Sequence, residues 1–416
     1  MPIFFVPLAI RQVYFLFKDC FKEGGYGWLQ SCSLLVFFLL DCSNLSTFVR
    51  CCPWSPSVSS LSRMAENFKP NRFMRRNQRR ILKKLHKRGQ ENFCFALDDT
   101  ANPKYGSKVF GSAPFHSSSG SYFGQKILVL VVVDMKLHQA YPVSYVFLTG
   151  KNDPDHVPAN QRALELLKEA LKFGFPQMPV TSDSWFDSKD FIQAVHKMGC
   201  EYAGELKSNR QARVNTSPTC TRKSIKKWFA EEKNLRLKQS RYQRHRNKRG
   251  KAYCQKTLFI NGLGLPLQVI AVYNRINGTS PFAIYASTNP STTGSRLWNL
   301  SRARWAIEVL FRDLKQSLGF GRLTAGGEGG AHLSVCLPMI LLTSIRLDKC
   351  DFWVSDKKSS NDSLGTVVKK VREASLEKTI ESIIHLPGSQ KLALLLARRK
   401  NPTKKPTNGC GDKIAA

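Results

Sequence analysis

The stretch from Glu91 to Gly199 constrains the fold most, because short apolar segments alternate there with amphipathic ones. Hairpin spacing and β-branched residues predict strands in the segments NFCFALD, KILVLVVVDM and AYPVSYVFL. Because these segments are apolar at almost every position, we expect a sheet that is buried on both faces. The remainder predicts a helix that Gly174 ends, a short strand that ends at Asp183, and a helix that Gly199 ends.

Strands, helix, strand and helix in this order are typical of an α/β fold of the ribonuclease-H-like, or retroviral-integrase-like, type. Such a sheet delivers acidic residues from its strand ends to one edge, and Asp98 and Asp183 are predicted at two of those ends. A strand-end aspartate commonly caps a turn, so neither residue is informative alone. The chemistry also leaves open whether Asp98 or its neighbour Asp99 is the residue that matters.

A third acid lies on a single helix predicted from Ser295 to Leu318. At about 100° per residue, the apolar side chains of this helix form one face and the charged ones another. On the charged face, Glu308 is flanked by Arg304, Arg312 and Lys315. A ladder of surface ion pairs, each worth roughly 0.2–0.5 kcal/mol, would explain this face. A carboxylate that holds a metal ion, beside cations that hold phosphates, would explain it too and accounts better for three cations around one acid.

Three carboxylates from separate elements suit the cleavage of a phosphodiester. Two divalent cations roughly 4 Å apart can stabilise both the attacking and the leaving oxygen. Magnesium prefers oxygen ligands and keeps several waters, so a few carboxylates are enough to bind it. We therefore expect Asp98, Asp183 and Glu308 to be catalytic and to hold two Mg²⁺ or Mn²⁺ ions.

The run R-W-x-I-E-x-x-F-R-D-L-K-Q-x-L-G resembles the last catalytic helix of DDE transposases from bacterial insertion sequences, in the branch marked by Tyr-x2-Arg-x3-Glu-x6-Lys. Arg304, Glu308 and Lys315 match this spacing, and Ser301 stands at the tyrosine position. The segment that begins at Asp98 is similar to the family's first-aspartate segment, and the one that begins at Asp183 to its second.

This resemblance implies a fold, an activity and partners. The metal ligand of the adjacent pair would be Asp98, while Arg304 and Lys315, with Arg312 beside them, would hold phosphates. The protein would be a transposase that binds the terminal inverted repeats of an insertion sequence, cleaves the DNA and joins the 3′ ends to target DNA. A homodimer on DNA would bring the two ends together.

The charge of the chain favours a polyanionic partner. Lysine and arginine outnumber aspartate and glutamate 64 to 30 in the 416 residues, a formal net charge of +34. A catalytically decayed, transposase-derived protein that only binds DNA would share this property, as would an RNA-binding structural protein. The RNA-binding alternative leaves the three acids unexplained.

The sequence divides into five regions. Residues 1–90 are predicted to be helical and to end in a basic helix, which suits either a DNA-end-binding region or an ordinary helical bundle. The catalytic core follows in residues 91–199 and 295–347, interrupted by a β-rich, basic insertion in residues 200–294. Within the second part of the core, GRLTAGGEGGAHL is expected to be a flexible connector before a helix in VCLPMILLTSIRL. The basic C-terminal region, 348–416, is expected to be partly disordered.

A long basic run in the insertion carries interleaved aromatic residues. It is either a solvated loop or a surface that follows phosphates, and on the second interpretation Arg244, Arg246 and Arg249 contact DNA.

Cysteine spacing and the apolar segments indicate the compartment. The 12 cysteines include no C-x-x-C pair, so we expect free thiols. The apolar first residues lack a basic region and a small-residue cleavage site, and the apolar segment at 33–40 is shorter than the roughly 20 residues of a membrane span. We expect a cytoplasmic protein that is not associated with a membrane, and the resemblance described above implies that it is bacterial and associated with the nucleoid.

Overall fold

The structure is a computed structural model, which describes Cys20 and residues 28–39, 44–52, 55–104, 106, 108–117, 120–217, 219–230, 236–237, 252–274, 280–323, 327–347, 364–369 and 373. The helices are α1 (Trp28–Leu39), α2 (Leu45–Cys51), α3 (Val58–Glu66), α4 (Pro70–Arg88), α5 (Ala159–Phe173), α6 (Lys189–Lys197), α7 (Ile225–Ala230), α8 (Gly294–Ala303), α9 (Trp305–Ser317) and α10 (Gly327–Leu347). The strands are β1 (Phe93–Pro103), β2 (Ser112–Ser117), β3 (Gly120–Asp134), β4 (Gln139–Leu148), β5 (Val180–Ser182), β6 (Ala203–Glu205), β7 (Gln211–Arg213), β8 (Lys223–Ser224), β9 (Arg236–Leu237), β10 (Ala252–Ile260), β11 (Pro266–Tyr273) and β12 (Ala283–Ser287).

The first sheet has the predicted ribonuclease-H-like arrangement. Its central strand β1 runs antiparallel to β3 along its whole length and parallel to β5 on its other side. Strands β2 and β4 both pair with the far edge of β3, one after the other along its length. Helices α5 and α6 flank β5 in the chain, as expected. The predicted α/β fold is therefore confirmed.

Strand β1 is longer than the sequence predicts. The apolar run was expected to end at Asp98, but the strand continues to Pro103 because β3 pairs with it to that point. Only the parallel pairing with β5 ends early, at Leu97 and Ser182. The prediction that Asp98 lies at a strand end is therefore wrong. Asp98 lies within β1, just beyond the end of the parallel pairing with β5.

The two faces of the sheet pack against different groups of elements. Side chains alternate along a strand, so that Cys94 and Ala96 of β1 face one core while Phe95 and Leu97 face the other. The first core contains buried side chains of α1 to α4 together with α8, α9 and α10. The second contains α5, α6 and the strands that follow them. The division at residue 90 stays a prediction. The helices before it, α1 to α4, nevertheless share one core with α8, α9 and α10.

The segment between residues 200 and 294 forms a second, seven-stranded sheet. Its second half contains β10, β11 and β12, which pair antiparallel in that order. A single parallel bridge from Val180 to Tyr202 continues the first sheet towards β6, the edge strand of the second. Strands therefore make up much of the described part of this segment, while its role as an insertion in the core stays a prediction.

The expected helix from Ser295 to Leu318 is divided in two at Arg304. This residue keeps helical dihedral angles, φ −52° and ψ −38°, but its carbonyl accepts the amide of Ile307 in a tightened, three-residue turn. The apolar face is still continuous, since Leu300, Ile307 and Leu314 are all buried.

Helix α10 begins earlier than the sequence predicts. Residues 327–333, expected within a flexible connector, are its first turns. Gly329 allows α10 to pack closely against α3, because a Cβ at this position would lie 2.1 Å from the carbonyl oxygen of Glu66 at the end of α3. In the part of the chain that is described, α10 is the one helix long and apolar enough to cross a membrane, but 83% of its apolar window is buried inside the protein.

The cysteines whose side chains the structure describes are free, as predicted, and all but Cys220 are buried; they are Cys20, Cys52, Cys94, Cys200, Cys220, Cys254 and Cys336.

Candidate functional site

Strand alternation separates the two adjacent aspartates of β1. Asp98 continues the face of Cys94 and Ala96, towards the core that contains α9. Asp99 belongs to the opposite face, where its Oδ2 lies 3.1 Å from Nζ of Lys126. Of these two residues, Asp98 is therefore the one on the side of the Glu308 helix, and its role as the metal ligand stays a prediction.

Arg304 joins the first and third acids. Its guanidinium lies 2.6 Å from Oε1 of Glu308 and 3.5 Å from Oδ2 of Asp98. The tightened turn at the start of α9 brings this side chain to β1, and Arg304 is only 19% exposed. Although burial lowers it, the carboxylates of Glu308, Asp98 and Asp183 raise the pKa of Arg304 above its usual value. The guanidinium is therefore always charged.

Asp183 completes the acidic group from the neighbouring strand. It follows β5 directly and caps a short 3₁₀ turn, where its Oδ1 accepts the amide of Trp185 at 3.0 Å. Burial and the negative charge of Asp183 together raise the pKa of Asp98 to about 7, although the positive charge of Arg304 acts in the opposite direction. Asp183 is thus close enough to Asp98 for their charges to repel.

The structure adds a fourth carboxylate that the sequence did not single out. Glu205 lies at the end of β6. Burial raises its pKa, the positive charge of Arg304 lowers it, and the negative charge of Asp183 raises it. Its cross-strand neighbour is Tyr285 of β12, whose hydroxyl hydrogen-bonds with Ser301. No local pattern announces Glu205, because only the pairing of the second sheet brings it to the site.

Two further residues beside the site were missed. Trp185 is 62% exposed, and Nζ of Lys126 lies 5.5 Å from the centre of its ring. Since Lys126 also pairs with Asp99, it links the tryptophan to the residue next to Asp98 on β1. The position of Trp185 two residues after Asp183 was the available signal.

The predicted phosphate-binding cations are not all free for that role. Nζ of Lys315 donates to the carbonyl of Ala101 at 2.7 Å, and burial lowers its pKa. Arg312 is 59% exposed and lies 3.9 Å from Asp313. Ser301, at the tyrosine position of the motif, is buried and donates to the carbonyl of Trp298. Contacts of Lys315 and Arg312 with phosphate stay predictions.

The arginines of the basic run, Arg244, Arg246 and Arg249, lie outside the described residues.

The acidic group suits a hard divalent cation by its chemistry. Within the described ranges, no set of three or more His, Cys, Asp or Glu side chains is already arranged around a metal position. The donors are nevertheless all carboxylates, which Mg²⁺ prefers, and Asp98, Asp183 and Glu308 share a single arginine. A divalent cation would offset both the burial of Asp98 and its repulsion from Asp183, which together raise the pKa of Asp98. The donor set therefore fits the metal, although the side chains must turn to ligate it.

Comparison with known proteins supports a specific family. The family model described as a transposase DDE domain matches residues 94–342, which include all three acids. A comparison with the curated proteins finds no match. Among solved structures, the chain is similar to a piggyBac transposase synaptic complex with hairpin DNA, at 11% sequence identity and a TM-score of 0.45, over 96% of this chain and 86% of that one.

Proposed function

The chain belongs to the family of transposases with a DDE domain, and we propose that it binds the ends of an insertion sequence, cleaves the DNA there by metal-dependent phosphodiester hydrolysis and joins the 3′ ends to target DNA. The observation that carries this proposal is the contact of one guanidinium with both Asp98 and Glu308, with Asp183 close by. The Tyr-Arg-Glu-Lys branch is part of the proposal, because Arg304, Glu308 and Lys315 keep its spacing.

The three carboxylates would hold the metal. When bound, two Mg²⁺ or Mn²⁺ ions supply activation of the attacking water or hydroxyl and stabilisation of the leaving oxygen. Asp98 and Asp183 extend from neighbouring strands, so they would share the ions, and Glu308 would complete one site from α9 and orient the attacking water. A low pH would protonate Asp98 and weaken this set, since ligating carboxylates must be ionised.

Arg304 would act on both the protein and the DNA. Its contacts with Asp98 and Glu308 hold two side chains from distant parts of the chain in one place. Because the planar guanidinium has five donors, it can keep one carboxylate and still contact a phosphate oxygen. Arg312 is largely exposed one turn after Glu308 and would contact the DNA backbone next to the phosphate that Arg304 contacts.

The partner would be duplex DNA, both the terminal inverted repeats and the target. The net charge of +34 supports a polyanion, and we include Arg244, Arg246 and Arg249 of the basic run in the DNA-binding surface on the ground of sequence alone. A homodimer would serve the two element ends, and the protein would work in the bacterial cytoplasm at the nucleoid.

Plasmid cleavage tests this function. Wild-type protein with Mg²⁺ or Mn²⁺ should nick or linearise a supercoiled plasmid that carries candidate terminal repeats. We expect Glu308→Gln to reduce the rate by at least about a hundredfold, roughly 2.7 kcal/mol in activation free energy. The matched control is Glu169→Gln on the exposed face of α5, which should cleave like the wild type.

Equal cleavage by wild-type and Glu308→Gln protein at matched folding would contradict the catalytic proposal. If none of the three proteins cleaved the plasmid but all of them still shifted DNA in a gel, the protein would be the alternative considered above, a decayed transposase that only binds DNA. The serine at position 301, with its hydroxyl already donated to Trp298, is the feature that favours this second candidate.

A further inference from the structure

A basic cavity lies apart from the acidic site, where the N-terminal half of α4 meets the end of α3 and the start of α10. Its volume is about 900 Å³. Five cations line it against two carboxylates, Glu66 and Glu328, which leaves an excess of three positive charges; the cations are Lys69, Arg72, Arg75, Arg76 and Arg79. Such an excess in a concave site favours an anionic ligand.

Contacts with the rest of the protein fix the orientation of helix α4, so that its arginine-bearing face stays directed towards the cavity. Its opposite face is buried, with Phe73 and Ile81 in the core. The side-chain amides of Asn77 and Gln78 donate to the carbonyls of Pro142 and Val143 on β4, both at 2.9 Å. The helix is therefore fixed to the first sheet, and its arginines are presented on a rigid support.

The first turn of α4 contributes a second attraction for anions. Lys69, Pro70 and Asn71 line the same cavity. Pro70 opens the helix, and the side chain of Lys69 at the N-cap makes no capping hydrogen bond. The N-terminus of a helix carries a partial positive charge, which here adds to the charges of the arginines.

The spacing of the arginines fits a chain of phosphates better than a single one. From Arg72 to Arg79, the helix rises by about 10 Å, which corresponds to about three phosphate steps of one DNA strand at roughly 3.4 Å each along the duplex axis. Arginine's planar fork is also suited to the paired oxygens of a phosphodiester.

We propose that this cavity binds the sugar-phosphate backbone of a DNA strand, at a site separate from the acidic one. The inference rests on the proposed function for the identity of the polyanion. It also changes how the basic helix would be used, because α4 binds the backbone from a fixed position on the catalytic sheet instead of entering a groove as a free recognition helix.

The salt dependence of DNA binding tests this site. In one variant, Arg75→Gln and Arg79→Gln remove two exposed charges in the cavity; in the matched control, Lys83→Gln and Lys87→Gln remove two exposed charges of the same helix outside it. Fluorescence anisotropy with a labelled duplex gives log Kd against log salt for each. The cavity variant should lower the slope by up to about 2 units and weaken binding roughly tenfold or more at moderate salt, while the control changes little.

An unchanged slope in the cavity variant would overturn the proposal, as would an equal decrease in both variants, which would reveal only the loss of net charge. Millimolar inorganic phosphate at constant ionic strength should lower the slope of the wild type towards that of the cavity variant, because the free anion competes with the strand for the same arginines. Circular dichroism and thermal unfolding establish that both variants are folded.

Plasmid cleavage separates this inference from the proposed function. Cleavage that depends on Glu308, together with an unchanged slope, leaves the transposase proposal intact and removes the cavity site. A lowered slope, together with cleavage that does not depend on Glu308, supports the cavity site and contradicts the catalytic proposal.

Discussion

At the scale of single residues, the acidic site depends on which way each side chain of β1 points. Asp98 and Asp99 are chemically equivalent in the sequence, but side chains alternate along the strand. Asp98 therefore lies on the side of Arg304 and Glu308, whereas Asp99 lies on the other side and pairs with Lys126. The consequence for Asp98 is a buried carboxyl beside a second acid. Its pKa of about 7 follows from that burial and from Asp183.

Asp98 should make the metal-free protein less stable as the pH rises. Its pKa is about 7 in the folded chain, against 3.8 for an ordinary aspartate. Between these values the folded state binds more protons than the unfolded state, so the stabilisation present at low pH is lost as the pH rises through about 7. In a chelator, we expect Asp98→Asn to gain stability over the wild type between pH 5 and 8, by on the order of 2 kcal/mol.

Thermal unfolding across this pH range measures the effect, with the exposed Asp155→Asn as control. Parallel stability curves for wild type and Asp98→Asn would mean that Asp98 is ionised in the folded protein at all these values. Added Mg²⁺ or Mn²⁺ should stabilise the wild type more than Asp98→Asn, because a ligand that binds the folded state raises its stability.

At the scale of elements, the sequence predicted what local pattern determines. The apolar runs gave β3 and β4, and Gly174 and Gly199, both with positive φ, follow the ends of α5 and α6 as expected. The errors lie where tertiary contacts decide. Pairing with β3 extends β1 past Asp98, and the glycine-rich stretch around Gly329 is helical at the point where it packs closely against Glu66.

The same distinction applies to the candidate site. The spacing of Arg304 and Glu308 on a helix was visible in the sequence, and their 2.6 Å contact follows from it. Glu205 could not be found in this way, because it reaches the site through pairing between strands that are about 80 residues apart, β6 with β12. Long-range pairing leaves no mark in a local pattern.

Helix α4 should owe its position on β4 to two buried amides. The register of β3 and β4 shifts between Leu130 and Val131, so that Val143 has no partner in the ladder. Asn77 and Gln78 donate to the carbonyls at this irregularity. Asn77→Ala leaves the Pro142 carbonyl buried without its donor, and we expect a loss of about 1–3 kcal/mol in the free energy of unfolding.

Urea unfolding measures that loss. The control, Asn71→Ala, lies on the exposed side of the same helix and should change stability by less than about 0.5 kcal/mol. A wild-type midpoint for Asn77→Ala would show that water replaces the amide at no cost.

At the scale of the whole molecule, one core joins regions that the sequence treats separately. Buried side chains of α1 to α4 pack in the same cluster as those of α8, α9 and α10, on the face of the sheet that carries Asp98. The arginine cavity and the acidic site are therefore built on parts of one packed unit. A change in the N-terminal helices should be felt at the catalytic helix.

Met64 of α3 provides the test, because it is fully buried in the shared core. Met64→Ala should cost about 2–5 kcal/mol through lost burial and the cavity left behind, and Arg63→Ala, exposed on the same helix, should cost little. Hydrogen exchange then decides how far the effect spreads. If α3, α9 and β1 lose protection together, they unfold as one unit. Faster exchange in α3 alone, with β1 and α9 still protected and cleavage unchanged, would mean instead that the helices before residue 90 form an independent domain, as the division of the sequence at that point predicts.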